Sequence, residues 1–428
     1  IALKRPFHKI MTGTLKPILG YLMLAAGAGV IVSNLDPLGK MIEHGFHITG
    51  VVPNNEAIVA VAQKVLGVET MSILVVGLLM NLCIARFTKF KYVFLTGHHS
   101  LFMACLMSAV LGTAGLSGME LILVGGFLMG AWSAISPAIG QSYTSKVTDG
   151  DEIAIGHFGS LGYYLSAWVA KYVGKAEDST EDIEIPEKWG FLRDSTLSTA
   201  LTMIVFYLIA AFAAGSEFVA TLSGDMSPYL YAVMSAMNFA VGVTIVYSGV
   251  RMILGDLIPA FQGIATKIIP NAIPAVDCAV FFTYAPTAVV LGFLSSFIGG
   301  IIGMLILGAV GGVLIIPGLV PHFFCGATAG IYGNATGGRR GAAVGAFLNG
   351  LAITFLPALA LPVLGQLGFQ NTTFGDADFA VMGLVLGNAY EWVGMAGIYG
   401  IVAIAALVLI VPNFIKTKGK VINYVEED

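Results

Sequence analysis

The chain has 428 residues, 57% of them hydrophobic and 11% charged, with a mean hydropathy of +0.86 and a net charge of −4. A soluble domain carries about 25% charged residues, so most of this chain must face lipid or other apolar helices. An ordinary soluble enzyme is excluded, and the charge balance gives no ground for a nucleic-acid partner.

Lys4, Arg5, Lys9 and Lys16 precede a first apolar run at 18–33. The chain opens on Ile1 rather than Met, and the expectation is that an apolar helix precedes it. Between 33 and 70 the chain leaves and returns without a full pass, which suits an amphipathic segment plus a re-entrant one. Pro53-Asn54-Asn55-Glu56 breaks that stretch. Backbone groups freed at such a break bind a polyol or an oxyanion, or simply form a surface loop. An apolar run at 71–85 leads to Arg86, Lys89 and Lys91, then to LTGHHSLF with His98 and His99. After the run 121–139 comes IGHFGS, with His157.

The stretch 174–195 is the densest cluster of acids and reads as a solvated loop joining two halves, 1–195 and 196–428. Apolar runs at 200–214 and 229–250 follow. Pro270-Asn271 through Pro274 is a second break, and Asp277 lies just after it. Asp277 is the only charge between Lys267 and Arg339. A carboxylate in apolar surroundings costs several kcal/mol unless partnered, solvated or protonated, which makes it a candidate site residue. The runs 285–316 and 379–411 exceed the ~20 residues of one span, so each holds a second pass or a broken helix.

His322 lies in LVPHFFCG, where packing and binding readings are equally open. The turn Gly333 to Arg340 reads as a cytoplasmic loop anchored by Arg339 and Arg340, with docking of a phosphorylated partner as the lesser reading. Glu391 stands at an interface or in a site. Lys416, Lys418 and Lys420 close the chain, and the positive-inside rule puts all three basic clusters on the cytoplasmic side. Cys83, Cys105, Cys278 and Cys325 read as buried free thiols. No HxxxH or HExxH spacing occurs, so no metal is expected; no other cofactor is expected either.

The two halves follow one order: spanning helix, amphipathic segment, Pro-Asn break, His-bearing segment. Repeats with broken helices at matching places point to a transporter with a site near the midplane. The predicted fold is all-α: a polytopic membrane protein with inverted repeats, re-entrant hairpins and amphipathic helices.

The blocks KVTDGDEIAIGH (146–157), the stretch 249–293 and IIPGLVPHFF (315–324), with LTGH (95–98), resemble enzyme IIC of the ascorbate phosphotransferase system over nearly the whole chain. The resemblance implies a homodimer in a bacterial plasma membrane, with a V-shaped scaffold and a mobile core. It implies uptake of L-ascorbate coupled to phosphorylation by a separate enzyme IIB, with no phosphoacceptor in this chain. Site residues carried over by position are His98, His157, Asp277, Asn54 and Asn55. Ascorbate members have glutamines after the GH pairs. Here Phe158, Gly159 and Ser160 follow one, and His99, Ser100, Leu101 and Phe102 the other, so Phe158, Ser160 and Phe102 stand where substrate-defining amides are expected. Two rivals remain: an ion-coupled transporter using Asp277, and a membrane-embedded enzyme using His98, His99 and Asp277.

Overall fold

The computed structural model describes residues 6–47, 50–53, 55–150, 152–183, 195–267, 269–365 and 372–414. The first half contains α1 (Phe7–Phe46), β1 (Val52–Pro53), α2 (Asn55–Phe87, broken at Leu66), β2 (Tyr92–Phe94) and α3 (Gly97–Thr113). It continues through α4 (Gly118–Ile139), α5 (Gln141–Thr148), β3 (Ala154–Ile155) and α6 (Ser160–Val173). The second half contains α7 (Ser195–Ala214), α8 (Ser216–Ser223), α9 (Pro228–Lys267), β4 (Ile273–Val276), a 3-10 turn (Cys278–Thr283) and α10 (Pro286–Ala309). It ends with α11 (Leu319–Gly365), β5 (Thr372–Thr373), α12 (Ala377–Val393) and α13 (Met395–Ile410).

Among the described residues, seven helices are long and apolar enough to cross a membrane. An eighth arises if α7 and α8, bent by 116° at their junction, count as one broken span. The expected all-α polytopic architecture holds, and α1 absorbs the amphipathic segment by running on to Phe46.

What the sequence pattern did not announce is five strands too short to show a period of two. β2, β4 and β3 form a parallel sheet in that order, with Phe94 and Ala154 both paired to Ala275. β1 pairs in parallel with β5, Pro53 opposite Thr373. On its other edge Val51 bridges Ile315 in parallel, its N–H donating to Leu314 O at 2.9 Å and its carbonyl accepting from Ile316 N at 2.9 Å. In both sheets the middle strand comes from the other half of the chain than its two neighbours.

Alternation along these strands feeds two apolar cores. Ile155 and Val276 face the core that holds α1, α7, α9, α10 and α11. Ala154 and Ala275 face the core of α2, α3, α4, α12 and α13. The first sheet is therefore the seam between the cores.

α11 is a hairpin rather than one long span. Its torsions break at Gly337 and Gly338 (φ +58°). A Cβ at Gly333 would lie 2.4 Å from Gly341 O, so the two arms touch eight residues apart in sequence. An unbroken helix rises ~12 Å over eight residues. α10 packs on both arms, Gly292 against Gly326 on one and Gly299 against Phe347 on the other. The turn carries Arg339 and Arg340, both exposed, so the glycine-rich stretch is a helical turn and not an extended loop. α3 and α4 are joined at 114–117.

The acidic stretch is not free. Arg339 N–H donates to Asp178 O at 2.8 Å, Thr180 N–H to Asn334 Oδ1 at 2.8 Å, and Glu181 accepts the N–H groups of Thr287 and Ala288 at the start of α10. An acid there meets the positive end of a helix dipole and its orphan donors. Residues 184–194 lie outside the described part. At the basic loop, Lys89 N–H donates to Asn413 Oδ1 at 2.8 Å, which puts that loop beside the end of the last helix. All four cysteines are free, and Cys83 is exposed rather than buried.

Candidate functional site

Each strand of the first sheet hands the chain directly to a helix start. β2 runs through Leu95-Thr96 into α3 with His98 and His99. β3 ends at Gly156-His157-Phe158 and opens α6. β4 ends at Asp277, which caps the 3-10 turn by accepting from Ala279 N at 3.0 Å. Parallel pairing puts these three ends on one edge, which is why residues far apart in sequence meet. Gly156 is required for this: its N–H donates to Val276 O at 2.7 Å, and a Cβ there would sit 2.3 Å from Ala275 O.

His98 Nε2 lies 3.4 Å from Asp277 Oδ2, with the His98 side chain 45% and the Asp277 side chain 15% exposed. His99 and His157 are buried with ring centroids 3.7 Å apart. His99 Nδ1 accepts the Phe158 N–H at 3.2 Å, and His157 Nδ1 accepts the Gly159 N–H at 3.2 Å and lies 2.8 Å from Tyr163 Oη. A backbone N–H can only donate, so both Nδ1 atoms are lone-pair acceptors and the hydrogen-bond network assigns the proton to Nε2 in each ring. Burial lowers the His157 pKa, which also keeps that ring neutral.

The second sheet contributes from the other side. Asn55 opens α2 and Asp376 precedes α12. Asn55 Nδ2 donates to Asp376 Oδ2 at 2.6 Å, and Asn55 Oδ1 accepts from Gly375 N at 2.9 Å. Cys325 Sγ donates to Asp376 Oδ1 at 2.7 Å, and that oxygen lies 4.0 Å from His157 Nδ1. Asp378 is fully buried and accepts from Ser160 Oγ at 2.8 Å, Leu161 N at 3.0 Å and Trp132 Nε1 at 3.3 Å. Its own N–H donates to Phe158 O at 3.0 Å, so it clamps the His157 loop to the start of α6. Burial pushes the Asp378 pKa up to about 7 against the pull of those donors.

His98, His157, Asp277 and Asn55 thus come together, and Asn54 lies outside the described residues. Phe158 and Phe102 are placed as packing: Phe158 is fully buried against Phe94, Phe102 sits beside His98 and His99, and the Phe158 backbone serves the site. Ser160 is committed to Asp378. His322 bonds Ser296 Oγ at 2.9 Å as a packing residue, and Glu391 is exposed at the end of α12. Sequence reasoning missed Asp376 and Asp378. The signal was FGDADFA, two acids at the start of an apolar run, where helix N-caps are common.

Among the described residues three buried polar atoms at these edges have no hydrogen-bond partner: Asp277 Oδ2, Thr96 Oγ1 and Thr373 Oγ1. Each such atom costs about 1–3 kcal/mol unless something fills the place. His99, His157 and Asp376 also offer atoms within 4.8 Å of one another, a spacing a metal ion could use. The residues do not fit one. A metal needs an imidazole lone pair, and the backbone N–H groups occupy the Nδ1 lone pairs and leave protons on Nε2. The arrangement instead offers N–H donors and carboxylate acceptors, the set that holds hydroxyl groups.

Residues 1–378 match the family model described as PTS system sugar-specific permease component. The chain is 27% identical over 396 residues to the ascorbate-specific PTS system EIIC component of Mycoplasma pneumoniae. The match covers 78% of this chain and 59% of that relative's length.

Proposed function

This chain belongs to the family of PTS system sugar-specific permease components, and on that premise we propose that it carries L-ascorbate or a related small polyhydroxy compound across the plasma membrane. The compound is phosphorylated on the cytoplasmic side by enzyme IIB. The two halves are read as inverted repeats that exchange the middle strands of their sheets. The hairpins and their sheet edges form a core that moves against a dimeric scaffold, exposing the site to each side in turn.

The observation that carries this reading is the buried Asp277 Oδ2, which has no hydrogen-bond partner among the described residues and lies 3.4 Å from His98 Nε2. Asp277 accepts a substrate hydroxyl, and His98 and His157 lie where they can donate. The reading gives this chain the binding of the hydroxyl and leaves the phosphoryl transfer to enzyme IIB.

Reconstituted vesicles test it. Uptake should require the soluble phosphotransferase components and phosphoenolpyruvate, and the accumulated product should be phosphorylated. Asp277→Asn should lower substrate affinity by about tenfold or more, the cost of a hydrogen bond to a charged group. Uptake by the purified chain driven by a proton or sodium gradient alone sinks the proposal and favours an ion-coupled carrier.

A further inference from the structure

We infer that the tip of the α11 hairpin and the end of α6 together bind the headgroup of an anionic phospholipid in the cytoplasmic leaflet. The site is independent of the solute that the chain carries. α4 sets its depth. The 22 residues of α4 rise ~33 Å, about one hydrocarbon thickness. α6 runs beside α4 in the same direction. Asp378 joins Ser160 to Trp132, and four residues further on Tyr164 Oη donates to Ser136 O at 2.9 Å, its ring against Gly140. Trp168 and Tyr172 lie about one and two turns beyond Tyr164, past the last turn of α4. The α11 tip is level with them. A Cβ at Gly337 would lie 2.3 Å from Ala170 O, and one at Gly174 would lie 3.2 Å from Arg340 Cβ. α2 also runs with α4, Val76 against Gly126 and Met80 against Gly130, and leads into the basic loop of Arg86, Lys89 and Lys91. The positive-inside rule puts that end on the cytoplasmic side.

Two kinds of exposed side chain meet there. Leu161, Leu165, Trp168 and Tyr172 recur at helical spacing on the outer face of α6, half-buried at the leucines and exposed at the aromatics. The Trp168 and Tyr172 rings meet edge to face, centroids 5.5 Å apart. Exposed Trp and Tyr at the end of an apolar face mark headgroup depth. Lys171 and Lys175 flank the end of this helix, Arg339 and Arg340 form the tip beside it, and all four are exposed. Among the described residues none of the four forms an ion pair. Glu177 and Asp178 are exposed at the same end, so four cations stand against two acids, while Glu181 is taken up by the start of α10. The cations alone suit any phosphate. The aromatic pair and the leucines below it favour a phosphate whose tail lies in the bilayer. Each Lys or Arg at the surface of an anionic leaflet strengthens such binding about fivefold.

Phosphatidylglycerol and phosphatidylcholine with the same acyl chains form a matched pair for binding to the purified full chain, followed by native mass spectrometry and thermal shift. Phosphatidylglycerol should bind about tenfold or more tighter, and added salt should narrow the difference. Arg339→Gln combined with Arg340→Gln should cut that preference by about tenfold or more, and Lys171→Gln with Lys175→Gln gives a second reading of the same site. Lys9→Gln with Lys16→Gln removes two exposed cations of α1 near the same membrane surface and should change the preference by no more than about twofold. A wild-type chain without the preference overturns the inference with no variant needed. An equal loss in the α1 pair reduces the effect to a diffuse surface potential and also overturns it. Displacement of the lipid by inorganic phosphate at equal concentration assigns the cations to free phosphate instead. An Arg339→Gln, Arg340→Gln chain that keeps its melting temperature and its lipid preference but loses binding of phosphorylated enzyme IIB makes the tip a protein dock, and the lipid site is then wrong.

Discussion

Asp378 shows how much a single buried acid does away from the ligand. Asp378→Ala leaves the Leu161 N–H, the Ser160 hydroxyl and the Trp132 N–H without their acceptor. At about 1–3 kcal/mol for each buried unpaired group, the melting temperature in detergent should fall by several degrees. The pH dependence has a definite sign. Burial raises the Asp378 pKa to about 7 from an ordinary 3.8, so the folded state holds the proton more tightly than the unfolded one. Its contribution is fully present below the ordinary value and is lost as pH rises through 7. Wild-type stability should decline between about pH 4 and 7 more steeply than that of Asp378→Asn. Asp277 stands out in the sequence because nothing charged flanks it. Asp376 and Asp378 do not, since acids before a helix are ordinary caps. Only the fold reveals that one meets Asn55 and Cys325 and the other the His157 loop.

The elements that position the site are the ones sequence periodicity could not reveal. Two- to four-residue strands carry no usable pattern, and the pairing of β3 with β4 joins segments more than a hundred residues apart. Helical runs and the breaks at Pro53 and Pro270 were legible because each has local chemistry, whereas the glycines at 333–338 read as a loop and their helical hairpin needed the fold. Gly156→Ala tests the strand contact. Its Cβ would enter the backbone of Ala275, so β3 must shift and His157 with it. Ligand affinity should fall by about tenfold or more, while helix content measured by circular dichroism stays near wild type. Gly338→Ala, at a φ of +58° with its Cβ 2.3 Å from Lys175 O, should instead lower thermal stability by about 1–3 kcal/mol.

At the scale of the molecule, neither half completes a sheet. β4 lies between β2 and β3, and β1 lies between 314–316 and β5. Residues 1–183 or 195–428 expressed alone should therefore bind no ligand, whereas the two co-expressed as separate chains should restore binding, read by thermal shift with L-ascorbate and related small polyhydroxy compounds. The same interleaving sets a clock on biosynthesis. His98, His99 and His157 leave the ribosome long before the strand that holds them in register, and β1 (Val52–Pro53) waits for β5 (Thr372–Thr373), about three quarters of the sequence later. Helices enter the bilayer in order, but the candidate site is complete only after β5 has been made. A product truncated before β5 thus leaves a membrane-inserted bundle without the second sheet.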